Sequence, residues 1–554
     1  MARGAKVDDS GLNQRSGGDL WVITDECFHT LAARKTYYEE LRAWYWHGAD
    51  DISGDAEINR IYGEINNILS LTYSPEQIIL EGLPEGNYDP IELPILRKLT
   101  KTVRDNFFYR RIDVKSTAIV LNALIDGTSF IKPVWTGGVD WKETPADHIG
   151  VMFEALPIDS EYQVFATETE ITEAQLKTWW PHIFAKVGKQ MSAVEDGNQG
   201  QLEVILGGQG STTGTIEVSR HIAYKPRSSG NTYRCRQLWT FEHQHNQWRR
   251  ATIVEQVKVN DVLIGRSRHP YIQICPNPVS NWIWGHSAVR MLMKVQDKRN
   301  KILDQIDDAS ARLLDPPLLG IGYNIGSESL NGANAALKEP GGSFIFNGGP
   351  NSKIEPWVPK LEIGAAYEQL NWREQQTKFI TGVNEIMQGQ SQKNVRSSGY
   401  ANMLAQFAST ELKRVAHTIE AQFEDAHTYT GQLFQENDST QYKDEQTGRT
   451  FYLGQFPFDY RIEIYGHTGS PIATENNINL SMQLHDKKLM PADILIDILP
   501  IPFKEQLKDY AKKMEQAAMA MAAQKAAQGE APEAAAHKGK HPIKGGSKNP
   551  MENK

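Results

Sequence analysis

The strongest constraint in this sequence is an ordered run over residues 287–434: a helix, a Gly/Pro-rich insertion, a second helix, a polar interval and a long third helix. Ser287 is placed to cap the first helix, whose apolar residues Val289, Leu292, Val295, Ile302, Ile306 and Leu313 step by three, four or seven. Its other faces carry Arg290, Lys294, Lys298, Arg299, Lys301, Asp304, Asp307 and Asp308. Pro316 and Pro317 end it, because proline donates no backbone hydrogen bond and restricts the residue before it. Turn residues then crowd the chain, from Gly320 and Gly322 to Pro340-Gly341-Gly342 and Gly348-Gly349-Pro350. The apolar runs at 344–346 and 354–358 fit short strands between those turns. The second helix carries Ile363, Tyr367, Leu370, Phe379, Val383 and Ile386. Beyond the polar interval, Tyr400, Met403, Leu404, Phe407, Leu412, Val415, Ile419, Phe423, Ala426, Tyr429 and Leu433 keep helical spacing. That third helix is about 35 residues, or roughly 50 Å, at 1.5 Å per residue.

A chain of 554 residues, 40% hydrophobic and 23% charged, is globular and long enough for three or four domains. Cys27, Cys235 and Cys275 stand far apart, with neither metal spacing nor a disulfide framework, which suits an intracellular setting. The N-terminus lacks the apolar core of a signal peptide, and the longest apolar runs fall short of the ~20 residues that span a bilayer. A soluble, non-exported protein is expected. The net charge of −9 argues against a conventional nucleic-acid binder, which is usually basic.

In chain order, residues 1–18 are polar and Gly-rich. Residues 21–46 have helical spacing, with Cys27, Leu31, Tyr38, Leu41 and Tyr45 on one side; 58–71 repeat the pattern, and helices follow near 93–109 and 111–125 after a turn-rich passage at 82–86. Phe107, Phe108 and Tyr109 read as core. From Ser129 to Val279 the pattern alternates as strands, including 130–134, 151–156, 237–241, 248–259 and 262–264, with a helix at 171–187 and a polar, Gly-rich loop at 192–214. Strands return at 450–465, short helices follow at 474–484 and 491–499, and 503–528 is an Ala/Met/Lys/Gln helix. The tail, with Lys538, Lys540, Lys544 and Lys548, is flexible and basic: either a solubilising terminus or a contact for DNA.

Candidate chemistry is sparse. His243 and His245 would share a face if they lay on a strand, as metal ligands can, with His221 and His269 as further donors; no carboxylate or cysteine completes a recognised spacing, and an exposed hairpin fits better. Gly207-Gly208-Gln209-Gly210-Ser211 resembles a phosphate loop but lacks its Gly-Lys-Ser/Thr ending. Asp304, Asp307 and Asp308 suit a solvated or intersubunit face. No nucleophile–base pair, cofactor or metal is expected, and the chain reads as a non-enzyme.

The order helix, turn-rich insertion, helix, polar loop, long helix resembles the portal proteins of tailed bacteriophages. The likeness is carried by Gly285-His286-Ser287-Ala288-Val289, Asp315-Pro316-Pro317, the run from Thr381 to Gly389, and Ser397-Ser398-Gly399-Tyr400-Ala401. It implies an α+β fold with a flexible arm at 1–18, a wing at 19–282 that is helical and then β-rich, and a first stem helix at 283–315. A small α/β clip would occupy 316–360, a second stem helix 361–387, a tunnel loop 388–397, a long wing helix 398–436 and wing strands 437–472. A helical crown at 473–528 and the basic tail at 529–554 would complete it. The resemblance further implies a homo-oligomeric ring, of twelve in the family's manner, at the capsid vertex of a virion, assembled in host cytoplasm and passing double-stranded DNA without sequence specificity. Its partners would be the terminase large subunit, an adaptor or tail protein, and the major capsid and scaffolding proteins, with no membrane. Gln388, Gln390, Gln392, Lys393, Asn394 and Arg396 would then face DNA, touching phosphates without reading bases. Tyr323, Asn324, Phe344, Phe346 and Trp357 are docking candidates in the clip. Lys294, Lys298, Lys301 and Arg312 would either ring the channel or pair with acids of a neighbouring subunit. The rivals are another virion structural protein, such as a minor capsid or tail-adaptor component, and a metal-dependent hydrolase centred on His243 and His245.

Overall fold

A computed structural model describes residues 15–48, 59–75, 78–85, 92–187, 232–265, 268–314, 318–321, 353–356, 363–383, 410–443, 448–457, 460–465, 481–487, 495–496, 510 and 513–514. The chain divides into two compact units, Met1–Ser470 and Pro471–Lys554. In the second, residues 481–486 are helical, with the Ser481 side chain buried. No helix among the described residues is long and apolar enough to cross a membrane.

The first unit mixes helix and sheet. Helices α1 (Gly17–Cys27), α2 (Leu31–His47) and α3 (Arg60–Thr72) precede β1 (Ile79–Pro84), α4 (Leu93–Tyr109) and α5 (Ile112–Asp126). Strands β2 (Ser129–Trp135), β3 (Val139–Pro145), β4 (Ile149–Val151) and β5 (Phe165–Thr172) lead to α6 (Glu173–Trp179). Next come β6 (Thr232–Glu242), β7 (Gln247–Val254), β8 (Val257–Leu263) and β9 (Ile272–Ile274). Helix α7 (Ala288–Leu314), β10 (Leu318–Ile321), β11 (Lys353–Pro356), α8 (Ile363–Thr381) and α9 (Thr410–Asn437) follow. Finally β12 (Tyr442–Lys443), β13 (Thr450–Phe451) and β14 (Tyr460–Tyr465) complete the unit. Strands β4 to β8 form a sheet in sequence order, β9 adds to β2 and β3, and β1 pairs with β14.

Several local expectations are corrected. The helix expected over 21–46 breaks between Cys27 and Leu31, so α1 and α2 are separate. The expected helix over 171–187 is interrupted at Trp180, which leaves helical geometry (φ −140°, ψ 67°) because Pro181 follows it. The strand expected over 248–259 reverses at Glu255-Gln256; both residues have positive φ (41° and 67°), the conformation of a tight hairpin turn, with no glycine or asparagine to announce it. The turn-rich passage at 82–86 begins inside a strand: Gly82 lies so close to Thr100 and Leu96 of α4 that a Cβ would collide with both. Phe107 is core, but Tyr109 is 85% exposed at the end of α4.

The core is organised around α9, where Leu412, Val415, Ile419, Phe423, Ala426, Tyr429 and Leu433 are all buried, as their spacing requires. Phe423 stacks on Tyr73 with centroids 4.9 Å apart and on Trp141 of β3 at 5.7 Å. The Trp141 indole donates to Thr430 Oγ1 at 3.0 Å, two α9 turns further on. A smaller cluster seats α1 on the long sheet through Leu20, Trp21, Leu238 and Ile253.

The start of α7 is anchored by a close backbone approach. Gly127, at φ 91°, ends α5 against Gly285, and a Cβ on Gly285 would collide with Gly127 O and Cys275 Sγ. Thr128 Oγ1 accepts from Gly285 N–H at 2.7 Å. Gly285→Ala is therefore expected to destabilise the fold by about 2–3 kcal/mol, as overpacking does, measured by urea unfolding.

Two histidines are buried without charge. His269 accepts from Tyr271 N–H at Nδ1 (3.2 Å) and meets Ile158 O through Nε2 (3.1 Å), which fixes the neutral tautomer. His427 lies between Phe107 and Trp141, at 5.1 and 5.0 Å, with no hydrogen-bond partner at either ring nitrogen among the described residues. Burial pushes both down from 6.5 to about 3, with Arg268 adding to the effect at His269. The unfolded chain takes up these protons below about pH 6.5 while the folded chain does not, so their contribution is intact above that pH and lost as pH falls. Asp126, raised by burial to about 6 despite Arg42 at 2.6 Å, opposes this between its unfolded and folded values. His427→Phe keeps the aromatic packing and should flatten the stability-versus-pH curve between about pH 6 and 4 by about 1.4 kcal/mol per pH unit, read from urea titrations.

Candidate functional site

Helices α7 and α8 are joined through the antiparallel β10–β11 pair, in which Leu318 faces Pro356 and Ile321 faces Lys353. The chain thus runs out along one helix and back along the other, which packs beside it. With 27 residues, α7 is roughly 40 Å long. Ser287 caps it as its sequence position suggests: its hydroxyl accepts from Arg290 N–H at 3.2 Å and donates to Ile125 O. Gly382, at φ 67°, follows the end of α8.

Between the two helices lies an open groove of ≈ 510 Å³, lined by Lys294, Val295 and Lys298 on one side and Trp372, Arg373, Gln376 and Phe379 on the other. Arg373 holds its guanidinium 4.5 Å from the Trp372 ring centroid and donates to Gln376 Oε1 at 2.8 Å. Lys294 and Lys298 are exposed and enter no ion pair among the described residues. Lys301, one turn further on, is 2.8 Å from Asp297 of its own helix. Phe379 is 88% exposed and Trp372 51%. Burying such a side chain is worth about 1.5–3 kcal/mol, which the isolated chain forgoes here. Elsewhere on α8, Glu374 holds Arg60 at 2.9 Å and Lys378 at 3.9 Å. Partial burial and the nearby Arg60 pull Arg299 below its usual range, with Glu374 opposing them.

The groove combines exposed cations, a guanidinium beside an indole ring and bare aromatic faces. It can hold a surface that is anionic and partly apolar. Nucleophilic chemistry finds little support in the thiols, because burial raises Cys27 to about 12 and Cys235 and Cys275 to about 11.

The structure brings two of the expected site residues, Lys294 and Lys298, into this groove and gives Lys301 a partner within its helix. The Arg312 side chain lies outside the described residues. So do Gln388, Gln390, Gln392, Lys393, Asn394 and Arg396 of the polar loop, and Tyr323, Asn324, Phe344, Phe346 and Trp357 of the insertion. His243 and His245 fall in the β6–β7 turn rather than on a strand, where they approach Glu161 at 3.8 Å and Glu242 at 3.3 Å. Among the described residues no group of three or more His, Cys, Asp and Glu is arranged to hold a metal ion. The sequence reading missed Trp372, Arg373 and Gln376, and it counted Tyr367 and Phe379 as inward apolar positions; both are exposed. The spacing of five between Tyr367 and Trp372 was the available sign that the two do not share one core stripe.

No protein-family model matches the chain, and no curated protein matches it. Phe379→Ala should leave the unfolding free energy of the isolated chain within about 0.5 kcal/mol, whereas Ile302→Ala, at a buried position on α7, should cost about 2–5 kcal/mol. Denaturant titration of the two variants checks the contrast.

Proposed function

We propose that this chain is the portal subunit of a tailed bacteriophage. Copies would close into a ring, twelve in number by the family likeness, at one vertex of the capsid. The ring would pass double-stranded DNA in both packaging and ejection. The observation that carries this reading is the out-and-back excursion of α7, the β10–β11 pair and α8 from a mixed helix-and-sheet body, followed by the long α9. That order supports reading α7 and α8 as stem helices and α9 as the wing helix of the sequence resemblance. The exposed aromatics of α8 add support, since a subunit built for a ring must leave a surface bare for its neighbour.

In this reading the role is passive: a channel, and a platform that binds the terminase large subunit during filling and an adaptor or tail protein afterwards. The wing meets the major capsid and scaffolding proteins. A negative net charge suits a sliding duplex, because extensive neutralisation of phosphates would hold it in place.

Negative-stain electron microscopy of the purified full chain tests the proposal. Rings of about twelve subunits around a channel wide enough for duplex DNA are expected. Monomers or dimers under every assembly condition would overturn it.

A further inference from the structure

We infer that the groove between α7 and α8 receives the acidic edge of α7 from a second copy of this chain, so that neighbours join through one directional, charge-complementary contact. The inference rests on the ring reading above and adds which surfaces meet. The receiving half is Lys294 and Lys298, unpaired among the described residues, beside exposed Trp372 and Phe379. The entering half is on the same helix: Asp304 and Asp307 are exposed, stand outside the groove and also enter no ion pair among the described residues. Lys294 and Lys298 are one helical turn apart, and so are Asp304 and Asp307, so a helix laid along the groove can match two charges to two.

The second copy fits better than the other polyanion at hand. A duplex offers phosphates to the lysines but little apolar surface to cover Phe379 and Trp372, whereas a helix brings carboxylates and apolar side chains together. The contact is heterologous, one face against a different face, which is the kind that propagates into a closed ring. Lys301 has no part in it, being held by Asp297.

The test is a charge exchange in the full-length protein. One variant carries Lys294→Glu and Lys298→Glu; the other carries Asp304→Lys and Asp307→Lys. All four positions are exposed, and far-ultraviolet circular dichroism with a thermal melt checks that each variant folds. Neither variant should form rings alone. Their equal mixture should restore rings or alternating arcs to wild-type yield, because each groove then meets an edge of opposite charge. Size-exclusion chromatography with light scattering and negative-stain images read the result. Rings from either variant alone would overturn the inference and leave the ring reading standing. Rings that form but lose retention of duplex DNA would place the lysines on the channel and overturn it likewise. Two folded variants that stay apart when mixed would show that these faces do not meet. A wild-type chain that never forms rings would overturn the ring reading itself, and this inference with it.

Discussion

The fold depends on one buried tryptophan. Trp141 lies on β3, stacks on Phe423 of α9, meets Phe107 of α4 edge-on at 5.6 Å and donates its only polar hydrogen to Thr430. Tyr73, at the end of α3, covers the other side of Phe423. Three helices and a sheet therefore share a single aromatic contact, and an error in the position of any one is felt by the rest, since interiors this dense do not deform gradually. His427 occupies the same nucleus as an uncharged ring, which ties its integrity to pH.

Much of this was legible beforehand. The buried stripe of α9, the Ser287 cap, α3 to α5 and the β-rich middle all follow from spacing and capping chemistry, which act within a few residues. What escaped was decided at long range or by unusual backbone. Nothing within a short window marks Gly82 as a strand residue; its constraint comes from α4 packing over it. Glu255-Gln256 turn without a turn-forming residue because the sheet on both sides holds them. Arg34 and Arg236 are both buried. Arg34 donates to Ala146 O and Ile149 O, and Arg236 joins Asp25 and Glu168 beside Trp21. Periodicity cannot foresee such partners.

The groove was half legible for the same reason. Its lysines stood out as cations on a long helix, but their choice between a channel and a neighbour turns on what lies across from them, and that depends on the register of α8 against α7. Phe379 and Tyr367 misled because a large apolar side chain on a helix is usually inward. Here α8 has one side tied down through Glu374 and Arg60, and another that carries Tyr367, Trp372 and Phe379 exposed.

The pairing of β1 with β14 bears on how the chain is made. Ile79 faces Tyr465 and Pro84 faces Tyr460, so a strand near the beginning of the first unit has its only partner among the described residues near that unit's end. On a ribosome adding about 5–20 residues per second, β1 waits tens of seconds before β14 exists. Until then β1 lacks the ladder hydrogen bonds that β14 supplies, and for most of that interval the helices that pack on α9 lack the element they pack against. The first unit can close only near the end of its own synthesis, which leaves a long window for chaperones to shield it.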